Sequence, residues 1–193
     1  ELKEINNIIE SNENIEYIIE NNINIGSIIE GNSKVVINVK VKYKENVLNR
    51  PFEGVYKGQL ALPFENDTIK YLTSNTLDVA TTVYYDTGKP KPGDIYNMKK
   101  AYDKDAYEIF LSGVAPLITI TNNKALNDKK LILFRDSFGS SLAPLLVENY
   151  SEITIVDLRY MQSSLLGNFI DFSDADVLFL YSTSILNNSM SMR

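Results

Sequence analysis

Histidine, cysteine and tryptophan are absent from all 193 residues. Without cysteine no disulfide forms and no thiolate nucleophile exists. Without histidine or cysteine no conventional zinc site can be built. A Ser-His-Asp triad cannot be completed within the chain. The zero cysteine count suits an exported protein, and many cytosolic ones equally. Excess positive charge is missing too. The formal net charge is -6, which argues against a nucleic-acid surface. No stretch reaches the roughly 18 apolar residues of a membrane helix, so no transmembrane segment is expected. No signal peptide is visible. The chain opens on Glu1 rather than Met, so the expectation is a removed leader or a piece of a longer protein. What remains is an ordinary globular balance, 44% apolar and 23% charged, enough for a sizeable core. Twelve tyrosines and eight phenylalanines supply the aromatic bulk.

Residues 1–32 are nearly all Ile, Asn and Glu. A ten-residue pattern runs through Ile5, Ile8, Ile9 and Glu10, then Ile15, Ile18, Ile19 and Glu20, then Ile25, Ile28, Ile29 and Glu30. The i, i+3, i+4 spacing predicts short amphipathic helices with isoleucine on one face. Known solenoid repeats are longer, roughly 20–50 residues. These helices either dock on a core elsewhere or recruit a partner.

Residues 33–193 read as one α/β domain, β-rich over 33–100 and βαβ-like over 101–193. Ile37, Val39, Val41 and Tyr43 alternate with polar residues, a strand signature. Its lysine face is either an anion site or a solvated strand face. Phe52–Leu62 and Leu77–Tyr85 are further strand candidates, Gly88–Gly93 a loop. A short helix is expected over 105–111, stopped at Gly113. Leu117–Ile120, Leu131–Phe134, Ile153–Val156 and Val177–Tyr181 are apolar runs of buried-strand type. Helix-length segments, Ser140–Asn149 and Ser163–Ile170, separate the last three. The alternation predicts a mostly parallel sheet covered by helices on both faces, a three-layer α/β/α arrangement.

In such sheets ligands bind beyond the carboxyl ends of the strands. That rule selects three polar clusters, Arg135–Ser141, Asp157–Tyr160 and Ser182–Ser184, and predicts one shared rim. Ser137 stands in a tight strand-to-helix turn with Gly139 two residues on. Such a turn exposes a nucleophilic Oγ beside amides able to hold an oxyanion, or its serines simply cap the helix. Arg159 either grips a substrate oxygen or pairs with Asp136 or Asp157. Asp157, closing a strand, reads as a cap or an arginine partner. The acidic cluster Asp171, Asp174 and Asp176 lacks calcium-loop spacing, so no metal site is expected. No Walker loop or dinucleotide fingerprint occurs, so no nucleotide cofactor is expected.

Three blocks carry a family likeness: Phe110–Gly113, Lys130–Leu146 with Arg135-Asp136-Ser137-Phe138-Gly139 inside it, and Asp157–Tyr160. With the ending Asp176–Ser182 they resemble the C-terminal half of the bacterial DHHW family, over roughly residues 51–193. That family looks like a relative of the alginate O-acetyltransferases within the SGNH-hydrolase group. The resemblance implies an SGNH-like domain outside the cytoplasmic membrane, in the cell envelope. It implies O-acetyl transfer or ester hydrolysis on surface polysaccharide, with other envelope proteins as possible partners. It places the nucleophile at Ser137, the oxyanion turn at Gly139 and Ser140, and substrate contacts at Arg159, Tyr160 and Asp136. The family's histidine-bearing Asp-x-His-Trp motif has no counterpart here. The expectation is therefore the serine side of the site, without turnover as this chain alone. The alternatives are a glycan-binding or envelope-assembly protein that needs no base, and a scaffold that recruits a partner through residues 1–32.

Overall fold

The computed structural model describes residues 15–17, 39–41, 43–54, 63, 65–86, 89–188 and 190. The chain falls into two compact units, Glu1–Lys44 and Glu45–Arg193. In the first, β1 (Ile15–Tyr17) pairs antiparallel with β2 (Val39–Val41). The strand expected from the alternation at Val39 and Val41 is there. The helical expectation fails at Ile15–Tyr17, where a β-branched residue and an aromatic favour a strand once a partner is available. The rest of the isoleucine repeats lies outside the described residues.

The second unit contains a two-stranded sheet of β3 (Lys44–Phe52, all but its first residue in this unit) and β4 (Asp67–Thr73), and a six-stranded sheet. The larger sheet comprises β5 (Thr81–Tyr84), β6 (Lys91–Gly93), β7 (Leu117–Thr121), β8 (Lys130–Arg135), β9 (Glu152–Val156) and β10 (Ala175–Leu180). Its order is β10-β8-β9-β7-β5-β6. The four apolar runs all form strands. The class is mixed α/β, but the mostly parallel expectation is corrected. Only β10–β8 and β8–β9 are parallel; β9–β7, β7–β5 and β5–β6 are antiparallel.

Connection length explains the split. A parallel crossover needs about a dozen residues or more. Residues 136–151 and 157–174 are long enough to return the chain and carry helices. Only residues 122–129 link β7 to β8, so β7 runs opposite to β8. The crossover helices are α2 (Gly139–Leu146), continued by a 3₁₀ turn at Val147–Asn149, and a 3₁₀ helix at Ser163–Asn168.

Other expectations shift locally. Leu77 belongs not to a strand but to α1 (Asn75–Val79), because Ser74 Oγ accepts the Leu77 N–H at 3.3 Å and starts a helix there. A strand ends at Phe52 rather than starting there; 55–62 lie outside the described residues. Lys91–Gly93, expected as loop, forms the edge strand β6. The short helix before Gly113 is a 3₁₀ helix, Ala106–Ile109.

Two buried clusters position the site. Leu117, Ile132, Phe134, Val156, Met161 and Ile170 pack by the sheet. Leu48, Ile69, Ala101, Ala106, Ile109 and Phe110 form the other, with Phe52 and Tyr107 against it. Strand β8 is buried from Leu131 through Arg135, as a central strand flanked on both sides should be.

Candidate active site

Because β8, β9 and β10 are mutually parallel, their carboxyl ends share one rim, and the three polar clusters come together there. The Asp136 N–H bonds Leu180 O at 3.3 Å, and the Ser182 N–H bonds Asp136 Oδ2 at 2.7 Å. Two strand ends are thereby stapled through one carboxylate. Asp136 Oδ1 accepts the Phe138 N–H at 3.0 Å. With both oxygens hydrogen-bonded and 1% of its surface exposed, Asp136 builds the turn.

The serines do not cap α2. Its N-cap is Phe138, with no side-chain cap bond. Ser141 Oγ donates to Phe138 O at 3.3 Å, and Ser140 is buried. Ser137 is exposed, and its hydroxyl has no hydrogen-bond partner among the described residues. The hydroxyl is thus free to meet a ligand, but with no base beside it among the described residues it is a weak nucleophile. The amides of Gly139 and Ser140, expected as oxyanion donors, bond Asp136 O and Ser137 O, each at 3.1 Å.

Tyr107 tethers this turn from a distant element. Its hydroxyl lies 3.1 Å from Ser137 O, 3.3 Å from Phe138 O and 3.0 Å from Ser141 Oγ. Its ring packs against Phe110, with centroids 5.1 Å apart, and stacks near Phe52. The Asp105 carboxylate caps the Tyr107 N–H at 2.9 Å.

Asp157 is the electrostatic hub. Its carboxylate takes Arg159 Nε at 2.9 Å and Nη2 at 2.6 Å, and the Arg159 N–H at 3.1 Å. Arg135 Nη1 lies 3.7 Å from the same carboxylate. Of the two readings of Arg159, pairing with Asp157 is the one observed, and its guanidinium also stacks over the Tyr160 ring. Tyr160 is exposed beside it. The bond to Asp157 raises the Arg159 pKa, whereas burial lowers that of Arg135, against the pull of Asp157. Burial, then Asp157, push the Tyr181 hydroxyl up to about 12. Arg135, Asp136, Asp157 and Arg159 form a charge-balanced quartet, which makes its burial tolerable.

Sequence reasoning missed Tyr107, and it placed Arg135 in a rim cluster without a role of its own. Arg135 was readable only as the one cation closing an apolar β8, on the same face as Leu131 and Leu133. Tyr107 had no local signal, since its partners lie about thirty residues away. Among the described residues no acidic group is arranged to hold a metal ion. No described helix is long and apolar enough to cross a membrane.

No protein-family model and no curated protein sequence matches the chain. Solved structures do share its fold. One is PatB1 of Bacillus cereus with a sulfonyl adduct, at a TM-score of 0.56 and 23% identity, covering 75% of this chain and 48% of that one. A second PatB1 structure gives 0.54 at 22% identity, over 75% and 50%. A DHHW family protein from Eubacterium siraeum gives 0.50 at 20% identity, over 72% and 48%. This chain thus spans about half the length of each. Identities this low speak to fold and not to activity. At that level the likeness expected from the Arg135–Gly139 block holds: the chain shares the fold of a DHHW family protein and of PatB1.

Proposed function

We propose that the chain is the serine-bearing part of an SGNH-like, extracytoplasmic O-acyltransferase or esterase acting on the acyl esters of cell-surface polysaccharide. The observation that carries this is Ser137, exposed and with its hydroxyl unbonded among the described residues, in a turn held by Tyr107 and by the ends of β8 and β10. The parallel block β10-β8-β9, with its polar rim, supports the SGNH-like reading of the site. That one PatB1 structure carries a sulfonyl adduct suggests the chemical probe. The chain has no histidine, and losing the base of a serine triad costs about 10⁴–10⁶ in rate. Turnover by this chain alone is therefore negligible.

An external base tests the reading. The chain is incubated with an aryl sulfonyl fluoride, with and without imidazole, and the adduct is located by peptide mass spectrometry. Adduct at Ser137 that imidazole accelerates, absent in Ser137→Ala, is the expected result. Labelling spread over surface hydroxyls, with Ser137 untouched, overturns it. The missing base favours one rival, a glycan-binding protein without catalysis. Oligosaccharide binding that survives Ser137→Ala but not Arg159→Ala would select that rival.

A further inference from the structure

The amides of the serine turn are not equivalent. Phe138, Gly139 and Ser140 donate to Asp136 Oδ1, Asp136 O and Ser137 O. The Ser137 N–H alone has no partner among the described residues. It therefore remains the free donor for a developing oxyanion. A trans peptide unit is planar, with its C=O and N–H pointing opposite ways. The Ser137 N–H shares its plane with the Asp136 carbonyl, so whatever holds that carbonyl aims that N–H. The carbonyl accepts the Gly139 N–H at 3.1 Å and Arg135 Nη1 at 3.3 Å.

We propose that Arg135 is the positioning residue of the oxyanion site: it fixes and polarises the Asp136–Ser137 peptide so that the Ser137 N–H faces the reacting oxygen. The proposal rests on the acyl-transfer reading above. In that reaction Ser137 Oγ attacks an ester carbon, forms one C–O bond and gives its proton to a base. The charge moves to the former carbonyl oxygen, which the Ser137 N–H holds. Collapse breaks the ester C–O bond, and the proton goes to the leaving alcohol.

Three features suit Arg135 to this task. It is 1% exposed, so its charge is not screened by water. A charged donor on a carbonyl strengthens the hydrogen bond at the other end of the same peptide. Asp157 is already engaged by Arg159 at 2.6 and 2.9 Å and stands 3.7 Å from Arg135, while Arg135 Nε and Nη2 have no hydrogen-bond partner among the described residues. The guanidinium charge is thus not consumed by a tight pair. Gly139 completes the fit, since a Cβ there would lie 2.6 Å from Arg135 Cβ.

The test compares Arg135→Met and Arg135→Lys with the parent, by imidazole-assisted sulfonylation and by amide resonances of the ¹⁵N-labelled chain. In Arg135→Met, labelling of Ser137 should slow at least about tenfold, short of the roughly 10²–10³ lost with an oxyanion donor itself. The Ser137 amide proton should move upfield while amides of β8 and β9 keep their positions. Lysine should restore part of both. A folded Arg135→Met with the parent's labelling rate and Ser137 resonance overturns the proposal. Should that variant not fold, Arg135→Lys decides, because it keeps the charge and loses the planar fork that reaches the Asp136 carbonyl: a Ser137 amide moved upfield while the Gly139 amide keeps its position supports the proposal, an unmoved one overturns it. If the parent takes no adduct at Ser137, the acyl-transfer reading fails, and the amide resonance still decides whether Arg135 holds this peptide.

Discussion

Asp157 serves two guanidinium groups with one carboxylate, and is itself 1% exposed. Breaking a buried ion pair from one side leaves an uncompensated charge and costs about 3–5 kcal/mol. Asp157→Asn should lower the unfolding free energy by that order in urea titration, more than Arg159→Ala, whose removal leaves Arg135 in place. Equal losses in the two variants would show that Arg135 takes no support from Asp157. Two tyrosines add a pH dependence. Burial pushes the hydroxyls of Tyr84 and Tyr181 up to about 12, against an ordinary value of about 10. Below pH 10 both folded and unfolded chains keep these protons. Between about 10 and 12 the unfolded chain releases them and the native chain retains them, so stability falls with rising pH over that window. Tyr84 Oη also donates to Asp94 O at 2.6 Å. Tyr84→Phe should therefore lower stability by about 1 kcal/mol at neutral pH and flatten the alkaline decline.

The segment from Leu111 to Gly113 shows how an element is stopped. All three residues have positive φ, 53°, 58° and 82°. For Leu111 and Ser112 this is uncommon and costs about 1–2 kcal/mol each. Packing compensates: Leu111 is fully buried, its N–H bonds Ile95 O at 2.9 Å, and Ser112 Oγ accepts from Asn97 Nδ2 at 3.0 Å. Only the third residue is glycine. Gly113→Ala would place a Cβ 2.9 Å from the Glu108 side chain at a φ unfavourable to alanine, so a loss of about 1–2 kcal/mol is expected in thermal unfolding. Much of this scale was legible. Apolar runs locate β7 to β10, Gly113 marks a stop, and the strand end marks Asp157 as a cap or an arginine partner. Strand direction at β7 was not read, although the short link from Thr121 to Lys130 carried it. The roles of Asp136, Tyr107 and Arg135 were out of reach. They depend on contacts between residues far apart in sequence, or on which lone pairs a fold leaves free, and neither leaves a periodic trace.

At the scale of the whole sheet, β10 is an exposed apolar edge. It pairs with β8 on one side, and no described strand covers the other. Val177 is 47% and Phe179 64% exposed, with Leu178 between them also open. Apolar side chains are thus presented on both faces of one edge strand. Edge strands are usually protected by lysine, proline or a bulge, and Ala175–Leu180 contains none of the three. Such an edge offers unpaired backbone groups beside a hydrophobic patch, the two ingredients of intermolecular strand pairing. The chain is therefore expected to self-associate as its concentration rises, with the weight-average mass in sedimentation equilibrium climbing above that of one chain. Phe179→Lys puts a charge in the middle of this edge and should return the mass to that of a single chain. The same substitution removes the stack of Phe179 on Phe134, centroids 4.7 Å apart, so stability should fall by about 1 kcal/mol. Phe134→Leu separates the two effects, since it removes the same stack and leaves the edge apolar. It should lose stability and still associate. Association that persists unchanged in Phe179→Lys would place the sticky surface elsewhere on the chain.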